Sequence, residues 1–201
     1  MGGTDDGYSH AASLVAVFII HSQSHTPFLP MTWNDTFIEL FERCLAAYQA
    51  GDTDFENYYS PDDLAFLGSI GYQPREFFDF VEDFGGEGEP TLSTALLVAA
   101  VRRDYFLTVM SGQPGRGPVV NATTIPTFGD ELAGLPYLPR IIAKGRGKLR
   151  GELDPDLMFG CGGDRNFLRK NGNIHPADFL RHLWAAGEDD QKIVDWVKAQ
   201  A

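Results

Sequence analysis

The chain has 201 residues, 43% hydrophobic and 12% aromatic, enough to bury a core and to exclude general disorder. A net charge of −12 disfavours nucleic acid as a partner, because the acidic part of the chain repels phosphate. The two cysteines, Cys44 and Cys161, match no zinc or redox spacing and are expected as buried free thiols, with a disulfide as the alternative.

Residues 1–30 stand apart. Ala11 to Ile20 is an apolar run interrupted by Ser13, far short of the roughly twenty residues that span a bilayer. Asp5 and Asp6 are the only charges before His10, so the cationic start of a secretory signal is missing. A disordered extension, or a start placed too early before Met31, is expected here. A docked strand or helix is the alternative. A cytoplasmic location with no membrane span follows as an expectation.

From Trp33 to Ala50, Phe37, Leu40, Phe41, Cys44, Leu45 and Tyr48 recur at spacings of three and four, one helical face closed by Gly51. Ser60-Pro61-Asp62-Asp63 opens a second helix with a hydroxyl cap, an early proline and acid against the macrodipole. Gly71 ends it in the left-handed conformation. Pro74 opens a third helix with Phe77, Phe78 and Val81 as its buried edge, and Gly85 to Glu89 reads as a loop. Thr91 to Met110 is a long apolar helix without internal Gly or Pro, expected at the centre of the fold. Ser111 to Asp130, with four Gly and three Pro, is an ordered crossover loop whose one strand-like piece is Val119 to Asn121. Further helices are expected from between Pro136 and Pro139 to Arg150, over 163–171, over 176–186 and over 189–198.

The order of these elements repeats, and so do residues within them. Asp63, Phe66, Leu67, Gly71, Pro74, Glu76 and Phe77 return as Asp164, Phe167, Leu168, Gly172, Pro176, Asp178 and Phe179. Six identities and one Asp/Glu exchange exceed a background of about one match in twenty. The expectation is an all-α fold of two related helical units: an acidic repeat over 31–110, a crossover over 111–130 and a second repeat over 131–201. The first repeat carries four basic against fifteen acidic residues, the second eleven against ten. Two halves of opposite charge tendency suggest an intramolecular pseudo-dimer.

Arg140, Lys144, Arg146, Lys148 and Arg150 place five cations in eleven residues without an acid. On a helix, Arg140, Lys144 and Lys148 form one stripe and Arg146 with Arg150 another, each repelling itself unless something anionic is near. At an offset of 100 the first repeat holds Leu40, Cys44, Ala46, Tyr48 and Ala50, so the charge is not shared between repeats. Arg140, Lys144 and Arg146 are therefore a candidate site for phosphate or carboxylate, with ion pairing to the acidic repeat or to Asp164 as the competing explanation.

Gly134-Leu-Pro-Tyr-Leu-Pro-Arg140, with Lys144, Arg146, Leu149, Gly151, Asp164, Phe167-Leu168, Gly172, Phe179 and Asp195-Trp196, resembles a bacterial family, the domain-of-unknown-function family 5069. The resemblance covers about 125–198 and marks Arg140, Lys144, Arg146 and Asp164 as the matching polar positions. It implies a fold relationship and no reaction. Asp63 and Asp164 are expected as helix caps, and Asp164 also as a partner that orients Lys144 or Arg146.

Other signals are weaker. His21 and His25 have helical metal spacing within the extension. His175 is expected to cap a helix and His182 to lie on a helix face, neither with a catalytic partner. The glycine-rich run from Gly112 to Pro118 lacks the lysine and hydroxyl of a phosphate loop. No catalytic residue, metal site or cofactor is assigned. The expected function is a cytoplasmic, non-enzymatic helical module that binds a small anionic metabolite or a protein partner. An enzyme acting on a phosphorylated or carboxylated small molecule is the alternative, with Asp164 as orienter or base.

Overall fold

A computed structural model describes residues 1–3 and 31–201, the latter forming one folded unit. The expected extension, beyond its first three residues, and the His21/His25 pair lie outside the described residues.

The fold is all-α, with a single two-stranded hairpin among the described residues. In chain order the helices are α1 (Trp33–Gln49), α2 (Pro61–Ser69), α3 (Pro74–Glu87), α4 (Leu92–Thr108), α5 (Leu138–Arg150), α6 (Gly162–Lys170), α7 (Pro176–Ala186) and α8 (Asp190–Lys198). Strands β1 (Glu131–Leu132) and β2 (Leu135–Pro136) lead into α5. α1 packs on α3, and α5 packs on α7 in the corresponding way. α4 is the shared wall, touching α1 and α3 on one side and α5 and α7 on the other. No described helix is long and apolar enough to cross a membrane.

Local chemistry explains the ends. Ser60 accepts from the Asp63 N–H while Asp63 takes the Ser60 N–H at 2.7 Å, a reciprocal cap on α2. Gly71 (φ +75°) and Gly172 (φ +91°) both adopt the left-handed conformation that follows a helix. Phe37, Phe41 and Phe77 are buried, and Phe77 meets each of the other two edge to face, with the Phe37 and Phe77 centroids 5.0 Å apart.

Two expectations need correction. Gly85 and Gly86 lie inside α3, which runs on to Glu87. A Cβ at Gly85 would press into the Tyr48 ring at 2.5 Å, so the glycine lets α3 lie close on α1. The second correction is to register. The buried positions of α1 are Phe37, Leu40, Phe41 and Cys44, and those 101 residues on, Leu138, Ile141, Ile142 and Gly145, are buried in α5. At that offset Arg43 stands opposite Lys144, and the charge comparison made at an offset of 100 is off by one. Arg43 binds Asp63 at 2.6 Å and Lys144 binds Asp164 at 2.7 Å. The first pair is open to solvent at Arg43 and the second is sealed, so the same contact stands in two environments.

The halves meet through charge as well as apolar surface. Arg165 binds Asp83 and Glu87 at 2.7 and 2.8 Å, Arg169 binds Glu89 at 2.8 Å, and Lys148 binds Glu76 at 2.5 Å. Each cation comes from the second half and each carboxylate from the acidic first half.

Candidate functional site

The two cation stripes of α5 part company. Arg146 and Arg150 face the turn before α8. There Arg146 donates to the Gly187 carbonyl at 3.0 Å and pairs with Asp190 at 2.7 Å, while Arg150 pairs with Glu188. These are fold-level ion pairs, and Arg146 does not join the other candidate residues. Lys148 is buried against Glu76, its ammonium 4.0 Å above the Tyr72 ring. Arg140 and Lys144 remain, and both line one cavity.

That cavity holds about 300 Å³ and lies between the halves. α3 supplies Arg75, Asp79, Glu82 and Asp83. The second half supplies Tyr137, Arg140, Lys144, Cys161 and the 155–158 segment, and Phe128 of the crossover closes one side. Tyr137 is placed by the hairpin: Ala133 and Gly134 turn it with φ of +54° and +80°, and the chain enters α5 through Tyr137 itself at φ +73°. A tyrosine in that left-handed region is strained, and such strain gathers at functional positions.

Beneath the cavity Asp164 is wholly buried and fully bonded. Lys144 Nζ lies at 2.7 Å, and the Gly160 N–H and Tyr137 hydroxyl each donate at 2.8 Å. Burial and the neighbouring Asp164 charge push the Tyr137 phenol far up, so it stays a donor. Asp164 is thus an orienting anion, as the sequence allows, and it holds Lys144. The ammonium of Lys144, almost unexposed, also lies 3.1 Å from Cys161 Sγ. Cys161 is free and half-buried, unlike the free and buried Cys44, whose thiol burial pushes up to about 11.

Arg140 is held differently. Its Nη1 donates to the Pro126 carbonyl at 2.7 Å, and its guanidinium carbon lies 4.3 Å from the Phe128 ring centre. It makes no ion pair with any described carboxylate, and its buried Nε donates to no described acceptor. A guanidinium fixed by a carbonyl and a ring keeps its charge available to a ligand.

On the opposite wall Arg75 is occupied by Asp79 at 2.9 Å and Glu82 at 3.2 Å. Burial pushes the Asp79 carboxyl up to about 7, against the pull of Arg75 and Lys148. The folded chain therefore keeps a proton that the unfolded chain releases near 3.8. Stability is expected to fall by about 2–4 kcal/mol as pH rises from 4 to 7 and then to level off. Urea melts of wild type and Asp79→Asn across that range check it: the difference between the two curves should close on acidification.

In the sequence Asp79 and Phe128 carry no assigned role, Tyr137 stands only within the Gly134–Arg140 motif, and Cys161 stands only as a thiol. A signal existed for two of them. Asp79 is the one acid within Phe77-Phe78-Asp79-Phe80-Val81, and Cys161 precedes two glycines at the start of α6. A side chain at Gly163 would collide with the Tyr137 hydroxyl at 2.7 Å, which explains the glycine. His175 caps α7 by accepting the Ala177 N–H, as expected, and His182 stacks on Trp196. Among the described residues no three His, Cys, Asp or Glu side chains gather to hold a metal. No family model, curated protein or solved structure matches the chain.

Proposed function

We propose that this protein binds a small anionic metabolite, carboxylated or phosphorylated, in the cavity between its halves, with Arg140 as the anchoring cation. The single observation that carries this is Arg140: a cavity-lining guanidinium, held by the Pro126 carbonyl and the Phe128 ring and paired with no described carboxylate. Lys144 adds positive potential from below, its charge shared with Asp164. Arg146 is no part of this site. The cavity is small and its polar groups converge from three sides, the form of a metabolite pocket rather than of a protein interface. Asp79 and the exposed acids beside it set the condition: with Asp79 ionised the pocket is more negative, so an anion binds more tightly below pH 7 than above it.

The reading extends to organisation. The 101-residue register of buried positions and of the Arg43–Asp63 and Lys144–Asp164 pairs supports two related units held as a pseudo-dimer inside one chain. Arg140 and Lys144, matched in the resemblance to the bacterial family 5069, line this pocket and Asp164 bonds Lys144 beneath it, which supports a role as a metabolite-binding module.

A thermal-shift panel of carboxylated and phosphorylated metabolites at low salt and pH 6 tests the proposal, with wild type beside Arg140→Ala. Arg140 loses only a carbonyl bond and a ring contact in that variant, about 1–2 kcal/mol of stability, so it should fold. A ligand at one hundred times its dissociation constant adds about 2.7 kcal/mol, a shift of several degrees, in wild type alone. Equal shifts in both proteins would place binding elsewhere and end the proposal.

A further inference from the structure

The cavity that holds Arg140 also holds a sulfur. Cys161 lines it, half-buried, at the N-cap of α6. No side chain hydrogen-bonds to the N-terminal N–H groups from the cap position of that helix, and the next two residues are glycines. Lys144 Nζ, 3.1 Å from Sγ, is fixed in turn by Asp164, which Tyr137 and the Gly160 N–H hold in place. A sulfur, a buried cation against it, an acid orienting the cation and a helix start form a constellation of the kind that makes a cysteine nucleophilic. The contrast lies in the same molecule: Cys44 is 1% exposed, among the buried residues of α1.

We infer that Cys161 is the nucleophile of this pocket, acting on small carbon electrophiles that carry a carboxylate. This rests on the proposed role of Arg140, which would take the carboxylate and bring the reacting carbon to the sulfur. In the step, the sulfur lone pair forms an S–C bond and the bond from that carbon to its leaving group breaks. The leaving group departs with the electron pair, and the thiol proton goes to solvent. Lys144 is a positioning residue, countering the charge of the attacking sulfur. Asp164 beneath the cavity and Asp79, Glu82, Asp83 and Asp156 around it work against an anionic ligand, and Arg140 must outweigh them.

Two alkylating agents separate the claims, iodoacetate with its carboxylate and the neutral iodoacetamide. In each case the S–C bond forms, C–I breaks and iodide leaves. The folded protein would be treated with each at pH 6.5, and labelling of Cys161 and Cys44 followed by peptide mass spectrometry, with glutathione as the free-thiol reference. Cys161 is expected to react with iodoacetamide while Cys44 stays unlabelled. Its iodoacetate-to-iodoacetamide rate ratio should exceed that of glutathione by roughly ten- to a hundredfold, the worth of one charge-assisted hydrogen bond. In Arg140→Ala that ratio should fall to the glutathione value. If Cys161 is as unreactive as Cys44 toward iodoacetamide, the nucleophile is lost and anion binding at Arg140 is untouched. If Cys161 reacts but the ratio equals that of glutathione in both proteins, selectivity for carboxylates is overturned and the Arg140 reading falls with it.

Discussion

Replacing Lys144 by methionine is expected to cost about 3–5 kcal/mol, because it strands the wholly buried Asp164 without its counter-charge. For a chain of this length that lowers the melting temperature on the order of 10 °C. The loss should be far smaller when Asp164→Asn accompanies it. The amide oxygen keeps one of the two bonds from Tyr137 and Gly160, which reach different carboxylate oxygens, and no buried charge remains in the pair. A double-mutant cycle by urea denaturation measures this, with an expected coupling of about 1–3 kcal/mol. Additive losses would mean that the two side chains do not act as a pair. The equivalent Arg43→Met change should cost less than about 1 kcal/mol, since Arg43 is more than half exposed.

The second large effect is expected at the join between halves. Glu76→Gln leaves Lys148 buried in aromatic surroundings with no carboxylate bonded to it, at a cost of about 3 kcal/mol after the ring contacts offset part of the penalty. Burial already pulls the Lys148 ammonium below its ordinary 10.5, and losing Glu76 deepens this. The unfolded chain then binds a proton that the folded chain gives up. The stability of the variant should therefore rise as pH increases toward 10.5, relative to wild type. Urea melts at pH 7 and 9 check both size and sign. A variant equally destabilised at both values would place the loss in packing rather than in charge.

Much of the fold could be read from residues because its signals are local. Ser60-Pro61 and Pro176 mark helix starts, Gly71, Gly151 and Gly172 mark ends, and the three-four spacing of Phe37, Leu40, Phe41 and Cys44 marks a face. Gly85 misled because a glycine that allows close approach to Tyr48 looks, in sequence, like one that turns a chain. The site was half legible. Arg140 and Lys144 line one cavity, since residues four apart on α5 share a face, and Asp164 bonds Lys144. Arg146 was grouped with them by proximity in sequence, yet two positions round a helix turn it toward Asp190. Asp79 and Phe128 reach the pocket from other elements, and no single-chain periodicity encodes which elements will face each other. An offset of 100 hid the Arg43–Asp63 counterpart, although Asp63 and Asp164, Phe66 and Phe167, and Gly71 and Gly172 already stand 101 apart in the sequence, a spacing the buried positions of α1 and α5 share.

The central claim is that Arg140 carries a ligand's negative charge. Its most direct test is an NMR titration of the arginine Nε–Hε resonances with succinate and, separately, inorganic phosphate at pH 6 and low salt. The prediction is that the Arg140 signal moves and saturates with one of these anions. Those of Arg146 and Arg150, already paired with Asp190 and Glu188, should stay in place. An Arg140 signal that stays still, or that drifts without saturation together with the others, would contradict the claim.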